Sequence, residues 1–131
     1  MNKTPLHPEG VATPSGVWSP AIVVQNAGRL VFMSGFTSRN PDGTVHGEGD
    51  IDAQTRRVCE LLRASMQAAG GALRDIVRVD VYVRNIDDFS KIHAVRREFF
   101  PVEPPASTMV EVSRMVDPRS LIEINAIGVL P

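Results

Sequence analysis

Cys59 is the only thiol among the 131 residues, so covalent catalysis has one cysteine to draw on and no intrachain disulfide can form. It lies inside a helical pattern, which suits a small buried apolar residue better than a reactive thiolate. His7, His46 and His93 lack the spacing of metal ligands, and no metal or other cofactor is expected. Ser15 and Ser34 lack the Gly-x-Ser-x-Gly setting of a serine nucleophile. The glycine-rich stretches do not form a phosphate loop. Acid–base chemistry remains. His93 borders an apolar helix stripe and, as a histidine, titrates near neutrality. Glu123 falls, by strand alternation, on the face opposite Ile122 and Ile124, away from the apolar side.

Composition narrows the classes further. Lys and Arg number 14 against 15 Asp and Glu, a net charge of -1, so there is no electrostatic pull toward nucleic acid or anionic lipid. One Trp and one Tyr offer little stacking for bases, which argues against an RNA-cleaving role. No apolar run is long enough to span a membrane. The N-terminus carries Pro5, Pro8 and Pro14 and no apolar signal core, which with the absence of disulfides predicts a cytoplasmic protein.

The elements that must position these residues are legible as one α+β domain over residues 1–131. Residues 1–19 read as irregular, with room for one short edge strand. Ala21–Gln25 and Arg29–Ser34, joined by Asn26-Ala27-Gly28, read as a β-hairpin. Asp50 caps a long helix whose apolar positions include Ile51, Val58, Leu62, Met66 and Ala69, and Gly70-Gly71 ends it. Ile76–Val83 alternates valines with polar residues and reads as a strand. Asn85 or Asp87 begins a second helix, to about Phe100, with Phe89, Ile92, Val95 and Phe99 on its stripe; Arg96 and Arg97 read as solvated charges. Ser107–Val112 and Leu121–Val129 complete a mixed sheet. Two helices cover one face of that sheet, and the other face keeps apolar residues, which predicts self-association.

Several ordered stretches carry a family likeness: Phe32-Met33-Ser34-Gly35, Asp75-Ile76-Val77-Arg78-Val79, Asn85-Ile86-Asp87-Asp88-Phe89, Pro105-Ala106-Ser107-Thr108-Met109-Val110-Glu111-Val112, and Ile122-Glu123-Ile124-Asn125-Ala126-Ile127. In this order and spacing, from about Ala21 to the C-terminus, the chain resembles the RidA superfamily. The resemblance implies a Bacillus chorismate mutase-like fold and a homotrimer with ligand clefts between subunits. It also implies hydrolysis of small reactive enamines and imines, such as 2-aminoacrylate, to a keto acid and ammonia, without a cofactor.

The resemblance assigns Glu123 as the group that handles the attacking water. It places the cleft at Ser34, Gly35, Phe36, Ala106, Ser107, Thr108 and Met109, with Ala21 where a tyrosine is common and His93 where an asparagine is common. The chain departs from the pattern at Ser107, where typical members carry the arginine that clamps the substrate carboxylate. Exchanging that bidentate contact for a serine costs about 2–4 kcal/mol, or roughly 30- to 1000-fold in affinity for an acid. Ser107 and Thr108 keep hydrogen-bonding capacity, and Arg96, Arg97, Arg114 and Arg119 are the arginines that could replace the clamp, although Arg114 reads as structural and Arg96 and Arg97 as solvated. The sequence therefore predicts a variant enamine/imine deaminase with altered substrate preference, Ser107 contributing beside Glu123. A non-catalytic trimer that binds a small metabolite or a client protein is the alternative. Trp18 and Phe36 are further candidates to line an apolar pocket.

Overall fold

Alternating valines make the strand at the centre of the molecule. The computed structural model describes residues 1–131. Its strands are β1 (Asn2–Leu6), β2 (Ala21–Gln25), β3 (Arg29–Phe36), β4 (Ile76–Val83), β5 (Ala106–Glu111) and β6 (Ile122–Leu130). The helices are α1 (Ile51–Ala68) and α2 (Phe89–Phe99). Four strands form a mixed sheet in the order β3-β6-β4-β5, with β4 and β5 parallel and the other pairs antiparallel. β4 and β6, the inner strands, turn Val79, Val81 and Val83 with Ile122, Ile124 and Ala126 toward the helices, all at most 1% exposed.

Both helices pack on that face. Asp50 caps α1 by accepting from Ala53 N at 3.0 Å. Val58, Leu62 and Met66 of α1 and Ile92 of α2 are fully buried in one cluster with the sheet valines. Cys59 is buried too, and burial pushes its thiol up to about 12, which removes it as a nucleophile at neutral pH. On the opposite face Phe32 stays 73% exposed.

Two expectations need correction. The strands Ala21–Gln25 and Arg29–Phe36 form, but not as a hairpin. β2 pairs with β1 in a separate two-stranded ribbon, and β3 pairs with β6. Asn26 adopts φ 58° at the junction, and Gly28 N already donates to Leu130 O at 2.9 Å, so the chain enters the β3–β6 ladder before it can fold back on β2. The second correction is Arg96. Read as a solvated charge, it is 1% exposed, among the largest side chains of the interior.

The N-terminal segment after β1 is held down at one end of the sheet. Ser19 N donates to Pro105 O at 3.0 Å and its hydroxyl to Pro104 O, while Val17 is buried. This strap lies over α2 and the start of β5.

Candidate functional site

Glu123 is the second residue of β6 and projects from the face opposite Ile122 and Ile124, as alternation requires. It is half-buried and receives no hydrogen bond from the protein. Its neighbour is Gly35, where β3 departs from regular register between Met33 and Phe36. A Cβ at Gly35 would lie 2.8 Å from Glu123 Cδ, so only glycine leaves the carboxylate its present position. The two residues line a cleft of about 800 Å³ with Phe36, Arg39, Arg57 and Arg119.

The hydrogen bonds of that cleft separate its two carboxylates. Arg119 grips Asp117 through Nε at 3.0 Å and Nη2 at 2.7 Å, and those bonds hold the Asp117 carboxyl down at about 2. Asp117 is thus committed to Arg119, whereas the Glu123 carboxylate has no hydrogen-bond partner in the protein. The rim is fixed by a buried side chain that sequence reading passed over. Gln54 of α1 donates to Gly47 O at 3.2 Å and Arg119 O at 3.0 Å and accepts from Leu121 N at 2.8 Å.

A second polar cluster forms where α2 meets β5. Arg96 Nη2 donates to Val17 O and to Ser107 Oγ, both at 3.1 Å. Burial lowers its pKa to about 10, so it stays protonated at neutral pH. His93 stacks on Phe89 at 3.9 Å between centroids and shares a 3.2 Å bond between Nδ1 and Phe89 O. Gly16 packs directly on the imidazole: a Cβ there would meet Nε2 at 2.4 Å. Burial first, then the charge of Arg96, lowers the His93 pKa from 6.5. The unfolded chain therefore takes up this proton before the folded one does. Stability should fall as pH drops below 6.5, and His93→Gln should flatten that slope in urea titrations at pH 7.5 and 5.5.

The family profile described as Endoribonuclease L-PSP matches residues 10–130. The crystal structure of YyfB, of the conserved Rid protein family in Yersinia pestis, superposes with a TM-score of 0.89 over 99% of this chain and 100% of its own, at 30% identity. The chain belongs to the RidA superfamily. A RutC family protein of Pyrococcus abyssi is 38% identical over 129 residues, covering 98% of both chains. The 3-aminoacrylate deaminase RutC of Acinetobacter baylyi is 35% identical over 128 residues, again 98% of both. The RidA-type fold expected from the sequence, two helices on a mixed sheet, is the fold found.

Within one RidA subunit the expected site residues separate into groups. Glu123, Gly35 and Phe36 meet in the cleft, with Ser34 exposed beside them. Ser107 and His93 both border Arg96 at the other end of the sheet. Ser107 pairs with Val79, and Val79 with Ala126, three residues along β6 from Glu123. Strand spacing and rise put Ser107 and Glu123 about 14 Å apart, on opposite faces. Ala106 pairs with Arg78 in the β4–β5 ladder, and the Thr108 hydroxyl accepts from Arg78 at 2.7 Å on the outer face. Met109 packs against the core, and Ala21 pairs with Leu6 outside the cleft.

Gln54 is the residue sequence reading missed, and Arg96, a candidate for the missing clamp, is the one it misplaced. Arg96 lies four residues after Ile92 and three after His93, so helical spacing put it on the buried stripe. Its charge argued for solvent, and the spacing was the better signal. For Gln54, three residues after Ile51 and four before Val58, the same signal existed.

Proposed function

We propose that the protein hydrolyses small enamines and imines to a carbonyl compound and ammonia, with Glu123 as the acid/base group. The observation that carries this reading is the free, half-buried carboxylate of Glu123 set against Gly35, with the neighbouring Asp117 tied to Arg119. The relationship to a 3-aminoacrylate deaminase supports the same chemistry. Protonation of the enamine carbon gives an iminium. Water then adds to its carbon and loses a proton to Glu123. Returning that proton to nitrogen expels ammonia; the hydroxyl then loses its proton as the carbonyl forms, which balances the proton taken up at carbon, so one water is consumed per ammonia released.

The working unit in this reading is a homotrimer. β3 and β5 are the two free edges of the sheet, and a closed ring of three sheets sets the β5 end of one subunit beside the β3 end of the next. That arrangement joins Ser107 and His93 of one subunit to Glu123 and Gly35 of its neighbour in one cleft, and it covers Phe32. Sedimentation at micromolar concentration should give a trimer, and a monomer would overturn the assembly.

Ammonia release from enamines generated in situ, with acidic, amide and neutral members, tests the reaction. Release above the uncatalysed rate supports it. No release from any member by an intact trimer favours the alternative, a non-catalytic protein that binds a small metabolite or client.

A further inference from the structure

Arg96 is a buried cation without a counter-ion. It is 1% exposed, no carboxylate lies within 4.0 Å of it, and its Nε is buried with no partner. Its two hydrogen bonds, both through Nη2, go to neutral oxygens. Removing a guanidinium from water without an acid to pair it is costly, and native structures seldom keep such a group unless an anion comes to it. The strap holds it in place: Val17 O accepts one bond, and Ser19 anchors the strap to Pro104 and Pro105.

One of the two bonds leads out of the core. Ser107 is half-buried on β5, an edge strand whose outer side has no partner in the sheet. Its Oγ accepts from Arg96, so its hydroxyl proton is left to donate elsewhere. A positive charge behind a hydroxyl makes that hydroxyl a strong donor to an anion. We propose that Arg96 and Ser107 form a carboxylate-binding site at the β5 edge: Ser107 touches the ligand, and Arg96, as the positioning residue behind it, supplies the charge. This rests on the proposed function and deepens it. The Ser107 position then moves the anchoring charge from the strand into the core rather than losing it, and the favoured substrates are small enamine acids.

The closing experiment measures binding rather than turnover, so it stands or falls apart from the deaminase reading. Pyruvate and its neutral isostere pyruvamide are titrated calorimetrically into the trimer. Wild type should prefer pyruvate by about tenfold to a hundredfold, the range expected for one charge acting over a few ångströms in a partly buried setting. Arg96→Met and Ser107→Ala should each abolish the preference, and Arg96→Lys should keep much of it. Arg63→Gln, on the exposed face of α1, should leave it unchanged. Arg96→Met should unfold at the same or a higher denaturant concentration, because it removes an unpaired buried charge. A purely structural Arg96 gives the reverse, a destabilised variant with the preference intact. Equal affinity for both ligands in wild type, or a preference kept in Arg96→Met, overturns the proposal. Pyruvate preference without any ammonia release would uphold the site and remove the reaction.

Discussion

Glu123→Gln should lower ammonia release by about 100- to 10,000-fold, the usual contribution of a positioned acid/base group. Glutamine keeps the shape and one acceptor, so the cleft should stay intact, but it cannot take a proton from water. The loss should fall on kcat, with pyruvate affinity close to wild type, because the proposed anion site is built on Ser107 and Arg96. Gly35→Ala is the geometric counterpart. Its Cβ would press on the Glu123 carboxyl from 2.8 Å, so the carboxylate must move while remaining chemically whole. Activity should drop in this variant as well, with secondary structure unchanged by circular dichroism. Full activity in Glu123→Gln would remove Glu123 from the mechanism.

Gln54→Leu should destabilise the fold by about 1.5–4.5 kcal/mol, since it removes the partner of three part-buried backbone groups at about 0.5–1.5 kcal/mol each. Those groups are Gly47 O, Arg119 O and Leu121 N, which the one amide ties to α1. Helix propensity cannot account for such a loss, because leucine and glutamine are nearly equal in a helix interior. Volume is nearly conserved, so cavity formation cannot either. Urea titration at fixed protomer concentration reads the effect, since assembly would otherwise shift the midpoint. The change should also loosen Arg119 at the cleft rim. A midpoint within a few tenths of a molar of wild type would show that water replaces the amide there.

Much of the fold was legible because it is written in local periodicity. Asp50 as a cap and the α1 stripe through Val58, Leu62 and Met66 appear where the spacing put them. So does the alternation that buries Val79, Val81 and Val83 and leaves Glu123 on the other face. Asn26-Ala27-Gly28 misled because turn chemistry specifies a change of direction, not the strand that pairs afterwards. β1, about twenty residues upstream, competes for the same edge of β2 and takes it. The candidate site was legible only in part: the likeness named Glu123, Gly35 and Ser107, but it did not reveal Arg96 behind the serine.

By itself the sequence determined the helices and strands, the single buried thiol and the face on which Glu123 lies, because each depends on neighbours within one or two turns or along one strand. The tertiary structure decided that β2 joins β1, that Gln54 ties two loops to α1, and that Arg96 is buried against Ser107. Pairing and desolvation are set by groups far apart in the chain. Val17 and Arg96 are 79 residues apart, and only packing brings that carbonyl to that guanidinium.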